Sequence, residues 1–386
     1  MAPPPCPLCR ATAWMALTEI RPKRSVRTDG GVVAAPLSKH HCDGCGLAMR
    51  WGVAEDPAAL YADDYQLYEN RPRALEFDPG RYGALVDMVV DLWDAAPPKR
   101  VLEVGCGDGG LLKALAARWP SAQAVGLEPS TTAVALAQAQ DAPVLQGMVG
   151  ESLPAVVAQG GFDLIYSIHV IEHTPDPSRF LAELGGLLAP GGRILITCPD
   201  GAVAHAELIH PDHLFSMTPE HLGAFARRAG MSVIAQTECP HGAGAEFSQT
   251  LVCKPGAVSL APLPPNPAMR SLAESRQAYL AAWRDLEAQF LSRLEEDQPL
   301  YCFGAGGWAA NIAGYCPDLW ARVKTCAIDG GAEPSVQGKP VADYADLAGA
   351  PRQFLAAVNP AIQGLIRAKL ERDGHAVLPW PETIEA

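Results

Sequence analysis

Val101-Leu-Glu-Val-Gly-Cys-Gly-Asp-Gly-Gly110 decides how the rest of this 386-residue chain is read. A short apolar strand over 101–104 runs straight into a glycine turn, after which the pattern becomes helical. Gly105 and Gly107 permit positive φ and bring the backbone close to a ligand, an approach that a Cβ would block. The first amides of the following helix point into the same space, which suits an anionic or zwitterionic nucleotide-like ligand. Glu128, 25 residues after Glu103, closes Ala-Val-Gly-Leu-Glu, a second strand whose terminal acid can accept from ribose hydroxyls. Together these segments make a cofactor-binding βαβ unit.

Outward from this unit, strands are expected near 101–104, 123–127, 143–146, 163–167, 193–198, 231–237 and 247–253. They alternate with helices near 80–95, 109–118, 131–140, 178–188 and 218–229. Such alternation predicts an α/β fold with a doubly wound, mostly parallel sheet. Pro190-Gly191-Gly192 reads as a turn leading into Arg-Ile-Leu-Ile-Thr. Residues 255–267 are a proline-rich linker, followed by a long amphipathic helix over 268–296. Leu300-Tyr-Cys-Phe-Gly304-Ala-Gly306-Gly307 repeats the strand-to-glycine-turn pattern. With a helix at 308–315, strands near 324–328, 353–358 and 375–378, and a helix at 361–372, it opens a smaller α/β domain. The expected division is 1–70, 71–254, the 255–267 linker and 268–386.

Hydrophobic content of 48% and charged content of 19% fit a soluble globular protein. No apolar run approaches the roughly 20 residues that span a bilayer. The opening Met-Ala-Pro-Pro-Pro-Cys shows neither a basic n-region nor an apolar h-region, so the expected compartment is the cytoplasm. A net charge of −13 argues against nucleic acid as the main ligand. Residues 1–50 nevertheless carry seven Lys/Arg against three Asp/Glu, with Arg21, Lys23, Arg24 and Arg27 clustered. That cluster is either a solvated loop face or a contact to a phosphate-bearing substrate.

Two of the cysteine pairs stand out. Cys6-Pro-Leu-Cys9 and Cys42-Asp-Gly-Cys45 are C-x2-C knuckles separated by 32 residues. Each puts two thiolates on one side of a tight turn, and the pair supplies the tetrahedral S4 site that structural zinc prefers. Gly44 and Gly46 give these turns their freedom, and His40 and His41 are read as bystanders. Cys106, Cys198, Cys253, Cys302 and Cys326 sit in apolar, strand-like surroundings as small core residues.

Gly105-x-Gly107-x-x-Gly110 also fits the dinucleotide fingerprint, which on its own is a weak signal. An acid, Glu103, directly before the glycines does not help a nicotinamide site. Further on come Phe162-Asp163-Leu-Ile-Tyr-Ser-Ile-His-Val-Ile-Glu172-His173 and then Leu188-Ala-Pro-Gly-Gly-Arg. With Glu103-Val-Gly-Cys-Gly and Gly126-Leu-Glu128-Pro129, these stretches resemble class I S-adenosylmethionine-dependent methyltransferases, over about residues 101–200. The cysteine module before them and the α/β domain after them, with Phe303-Gly-Ala-Gly, Ala357-Val-Asn-Pro and Val377-Leu-Pro-Trp, are similar to the three-domain, zinc-containing sugar C-methyltransferases.

The resemblance implies a Rossmann-like methyltransferase sheet and particular roles. Glu103, Gly105 and Gly107 would line the methionine part of S-adenosylmethionine. Glu128, next to Pro129, would take both ribose hydroxyls, residues around Glu151 would neighbour the adenine, and Ser167 to His169 would face the sulfonium. Asp212-His213 matches a carboxylate–His pair implicated in deprotonating a carbon beside a keto group, or else belongs to a loop covering the cofactor. Tyr65 and Tyr68 resemble tyrosines of a segment folding over the site. His241-Gly242 begins a related stretch, but the arginine expected after it is absent. Glu172 and His173 read as a helix-start pair supporting a loop. The implied acceptor is a small molecule, a nucleotide-linked keto-deoxysugar, with C-methylation ahead of O- or N-methylation. A NAD-dependent oxidoreductase and a non-catalytic partner remain the other readings. The oligomeric state is not legible.

Overall fold

The computed structural model describes residues 3–51, 79–239, 247–258, 263, 269–295, 298–330, 335–347 and 349–385. The chain divides into two compact units. One contains 1–15, 40–203 and 213–272; the other contains 16–39, 204–212 and 273–386.

The first unit is built on a seven-stranded sheet. Its strands are β1 (Arg100–Val104), β2 (Gln123–Glu128), β3 (Val144–Gln146), β4 (Phe162–Ile168), β5 (Leu188–Pro199), β6 (Met231–Glu238) and β7 (Ser248–Pro255). Their spatial order is β6-β7-β5-β4-β1-β2-β3, and β7 alone runs against its neighbours. The strand order reverses at β1 and β4, so a crevice opens beyond their carboxyl ends, where open α/β sheets take ligands.

Both faces of this sheet are covered, which explains why its strands are continuous apolar runs instead of alternating ones. Leu102, Val104, Ile165, Ile194 and Ile196 pack with Phe180 and Leu184 of α4 (Pro177–Gly186) and with Leu222 and Phe225 of α5 (Pro219–Arg228). Val101, Leu164, Tyr166, Leu195 and Val252 face the other way, onto Leu85, Val89 and Trp93 of α1 (Pro79–Trp93). Two further helices, α2 (Gly110–Arg118) and α3 (Thr131–Ala139), follow β1 and β2.

The Pro190-Gly191-Gly192 turn is a point of difference. β5 begins before it, at Leu188, and absorbs the three residues as an irregularity between Leu188 and Arg193. Gly191 has φ 83°, and a Cβ on Gly192 would meet the Phe162 carbonyl oxygen at 2.7 Å. The glycines therefore let the strand bulge while staying paired to β4.

The second unit holds a six-stranded sheet of β8 (Leu300–Phe303), β9 (Val323–Ile328), β10 (Ser335–Val336), β11 (Lys339–Asp343), β12 (Gln353–Ala356) and β13 (Ala376–Val377). Its order is β10-β11-β9-β8-β12-β13, parallel except for the β10–β11 hairpin. Sequence reading missed that hairpin. Its turn, Gln337-Gly338, has positive φ at both residues, and Gln-Gly signals such a turn less clearly than Asn-Gly. Gly304 has φ 114°, and a Cβ there would meet the Ala357 oxygen at 2.2 Å, so packing requires a glycine at this position of the second turn. Asp329, the acid at the end of β9, pairs with Lys369. Arg21 pairs with Glu287 at 2.9 Å and Arg27 with Asp29 at 2.7 Å, so two of the clustered N-terminal cations already have carboxylate partners.

Candidate functional site

Three groups of chemistry-bearing residues lie in the first unit. The first is the glycine turn after β1. Gly105, Gly107 and Gly109 all have positive φ, at 73°, 54° and 76°. A Cβ on Gly105 would strike Val170 at 2.3 Å, and one on Gly109 would strike Ala142 at 2.8 Å. Around Gly107 such an atom would meet nothing within 4 Å, so the space there is open to a ligand. The third conformationally required glycine is thus Gly109, the residue preceding α2, and not Gly110 as the fingerprint spacing suggested. The fingerprint counts residues, whereas φ and packing against β3 select the one that must lack a side chain.

Glu128, only 8% exposed, braces this turn. One carboxylate oxygen accepts from the Gly107 amide at 2.9 Å and the other from the Ser130 amide at 3.0 Å. Each oxygen keeps a second lone pair, so a vicinal diol can be accepted in addition. Burial raises the Glu128 carboxyl above its ordinary value, and the Ser130 and Gly107 amides pull it back. Glu103 is buried beneath the turn and accepts from the Tyr166 hydroxyl at 2.8 Å. Burial pushes it up to about 8 despite that hydrogen bond, with the charges of Asp108 and Glu128 adding to the effect.

The remaining cofactor-side residues are dispersed. Pro129 accepts at its carbonyl from Gln146 at 3.3 Å. Glu151 is exposed on the turn that follows β3. The Ser167 hydroxyl donates to the Val104 carbonyl at 2.9 Å, tying β4 to β1. His169 has φ 54°, a sparsely populated conformation for a residue with a side chain. It is held by its amide bonding to Thr197 at 2.8 Å and by its ring lying 3.3 Å from Glu172.

The second group is Glu172, His173 and His213, whose ligand-type atoms lie within 4.8 Å of one another. All three are buried. Glu172 and His173 form a 3-10 turn directly after β4. The Leu214 amide donates to the Glu172 carbonyl at 2.8 Å, which brings the distant His213 loop onto this turn. The His173 and His213 rings meet edge to face at 4.7 Å. Burial alone would raise Glu172, but the His169 hydrogen bond and the neighbouring imidazoles of His173, His169 and His213 hold it below the ordinary carboxylate range. The sequence reading gave these two residues only a supporting role and paired His213 with Asp212. Asp212 lies outside this group. Its carboxylate accepts from the Thr28 amide at 3.1 and 3.2 Å and from the Thr28 hydroxyl, within the second unit. A distance of 40 residues hid the link between His173 and His213. Tyr65, Tyr68 and His241-Gly242 lie outside the described residues.

The third group is the cysteine set. Cys6 and Cys45 sulfurs are 3.6 Å apart, Cys9 and Cys42 3.5 Å, and all four lie within 4.8 Å of one another. A tetrahedron of sulfurs about 2.3 Å from a zinc ion has edges of about 3.8 Å, so the donor set fits. Hydrogen bonds from Cys42 and Cys45 pull the Cys6 thiol down to about 4. Gly44 approaches closely enough that a Cβ would meet the Cys9 sulfur at 2.7 Å, and Gly46 has φ 79°. His221 accepts from the Thr218 amide at Nδ1, so its Nε2 carries the proton donated to the Cys45 carbonyl at 2.7 Å. His40 stacks on Trp51 at 3.7 Å, and neither it nor His41 belongs to the cysteine set.

Residues 76–236 match the family model of a methyltransferase domain. This part of the chain is a class I S-adenosylmethionine-dependent methyltransferase domain. It is 29% identical over 126 residues to trans-aconitate 2-methyltransferase of Rhodopseudomonas palustris, covering 33% of this chain and 48% of that protein. Tocopherol O-methyltransferase of Arabidopsis thaliana is 34% identical over 122 residues, with 29% and 34% of the two chains covered. The chain thus spans about half or less of these relatives. The CcbJ methyltransferase of Streptomyces caelestis aligns at 16% identity and a TM-score of 0.39, over 53% of this chain and 100% of that one. Among the described residues no helix is long and apolar enough to cross a membrane.

Proposed function

We propose that the whole chain transfers a methyl group from S-adenosylmethionine to a small molecule. The supporting observation is the brace formed by Glu128 around Gly107, with open space beside it and the second acid, Glu103, beneath. Glu128 would hold the ribose, Gly105 and Gly107 would admit the methionine portion, and His169 would border the transfer path. When bound, the cofactor supplies a methyl group already activated on a sulfonium. The protein then has to align the acceptor, exclude water and manage a proton.

The finer reading is C-methylation of a nucleotide-linked keto-deoxysugar. It is supported by the likeness of the cysteine module and second glycine turn to the sugar C-methyltransferases. His213 would take the proton from the carbon beside the keto group, with Glu172 stabilising the charged ring. A second reading, O-methylation, is favoured by the activity in the name of the tocopherol relative. The bound zinc ion proposed for Cys6, Cys9, Cys42 and Cys45 would be structural, since four protein sulfurs leave no open position.

Incubation with isotopically labelled methyl donor and a panel of sugar nucleotides, hydroxy acids and phenols tests these readings. The expected result is a methylated sugar nucleotide together with S-adenosylhomocysteine. Methylation of none of the three classes, or purification with bound NAD in place of the adenosyl cofactor, defeats the proposal. His213→Ala is expected to lower turnover by about 100-fold or more, the usual scale for losing a positioned base, while cofactor affinity measured by calorimetry stays within a few-fold.

Proton linkage gives a second check. The folded value of Glu103 lies above its unfolded one, so its contribution to stability is fully present below about 4.3 and is lost as pH rises through about 8. At pH 7 the empty site therefore holds a largely protonated Glu103. Binding of the cationic cofactor is expected to release close to one proton, seen as a binding enthalpy that changes with buffer ionisation heat. S-adenosylhomocysteine, lacking the sulfonium charge, should release less. Equal release for both ligands would remove Glu103 from the sulfonium's electrostatic environment.

A further inference from the structure

The Glu172, His173 and His213 group has more donors than a general base requires. One buried carboxylate faces two imidazoles, with a third, His169, bonded to it from behind. Glu172 is 1% exposed, and its Oε2 has no hydrogen-bond partner among the described residues, a costly state for a buried acceptor. The scaffold around it is fixed. His169 is tied through its amide to Thr197 of β5, and the Leu214 amide clamps the His213 loop to the Glu172 carbonyl.

We infer that Glu172, His173 and His213 hold a divalent transition-metal ion at the carboxyl end of β4, with His169 orienting the carboxylate as an outer partner. Ligand distances of about 2.0–2.2 Å would draw the three donor atoms together from their present separation of up to 4.8 Å, a change within reach of ring and carboxylate rotation. Two imidazoles and one carboxylate suit zinc, iron(II), cobalt or manganese, and lack the all-oxygen set that magnesium or calcium takes. Three protein ligands leave coordination positions open, in contrast to the closed cysteine set. The His169–Glu172 contact is the kind of outer interaction that orients a metal-binding carboxylate.

The ion would sit in the same crevice as the Gly107 turn. Resting on the methyl-transfer reading, this assigns an acceptor class: a molecule with two adjacent oxygens, a hydroxyl beside a carbonyl or a second hydroxyl, that fills the open positions. His213 would then be a ligand, not the base. The hydroxyl held on the ion would lose its proton to solvent, and its oxygen would form the bond to methyl as the bond between methyl and sulfur breaks.

Cobalt(II) is the probe. Full-length protein carrying one zinc per chain is titrated with cobalt and followed by visible absorption, zinc release and X-ray absorption at the cobalt edge. One further equivalent should bind, with an imidazole and oxygen shell and no thiolate charge-transfer band. Glu172→Gln and His213→Ala should each weaken it by about 100-fold while zinc content and S-adenosylhomocysteine affinity persist. No cobalt uptake, uptake undiminished in both variants, or a sulfur shell with zinc displaced overturns the inference. Because the X-ray absorption readout needs only the unaltered protein, misfolding of a variant cannot mask the outcome. Loss of adenosyl-ligand binding or of methyl transfer would count against the methyl-transfer reading alone.

Discussion

Glu128→Ala is expected to weaken S-adenosylmethionine and S-adenosylhomocysteine binding by about 1–3 kcal/mol, or about 5- to 150-fold, through loss of a charged bidentate acceptor. The size of the effect follows from two functions of one carboxylate. Its oxygens already hold the Gly107 and Ser130 amides at 2.9 and 3.0 Å, so alanine removes the brace of the turn as well as the ribose acceptor. Glu128→Gln separates the two functions. A glutamine amide still has an oxygen to offer a ribose hydroxyl, but its NH2 group must then face one of the two backbone donors. If bracing matters, glutamine should behave nearly as badly as alanine; if ribose contact alone matters, glutamine should recover most of the affinity. Calorimetry with S-adenosylhomocysteine, which cannot turn over, reads the difference directly. Unchanged affinity in both variants would remove Glu128 from the cofactor site.

The contrast between Glu128 and Glu172 shows where sequence reading succeeds. Glu128 ends the strand that follows the glycine bend and its helix, 21 residues after Gly107, and the compact strand–turn–helix–strand geometry places it at the bend without long-range information. The same locality made the strands of the first sheet legible, since each is an apolar run bounded by Gly, Pro or a helix start. Glu172 is also near a strand end, but its importance depends on His213, whose loop is joined to it by a backbone hydrogen bond from Leu214. No periodicity announces such a contact. Asp212 makes the same point: adjacency in sequence suggested a pair with His213, and no local pattern announces that its carboxylate also accepts from the Thr28 amide. The grouping of 16–39 and 204–212 with the C-terminal half is illegible on the same grounds, because short segments without hydrophobic periodicity carry no signal about which core they join. Gly109 is intermediate. Four glycines within six residues were visible, but which of them needs positive φ depends on how closely Ala142 and Val144 approach.

Removal of metal from the cysteine set is expected to have the largest effect on stability. Cys6, Cys42 and Cys45 are members of the same buried cluster as Phe215, Leu222 and Phe225, so the module is continuous with the core of the methyltransferase domain. Structural zinc supplies about 10–16 kcal/mol in small peptides. If a third of that reaches the domain, at about 2–4 °C per kcal/mol for a unit of this size, chelation under reducing conditions should lower Tm by about 10 °C or more. The cysteine set should account for one zinc per chain by elemental analysis. His221 gives the loss a route into the domain, since its Nε2 proton bonds the Cys45 carbonyl while Nδ1 caps α5. Gly44→Ala offers a milder version of the same disturbance: its Cβ would meet the Cys9 sulfur at 2.7 Å and Ala11 at 2.6 Å, both too close. That variant should lose zinc to a chelator faster than the parent and melt at a temperature between the loaded and stripped forms. A stripped protein, verified free of metal, that melts with the loaded one would show that four thiols pack this module unaided and that zinc has no structural part in it.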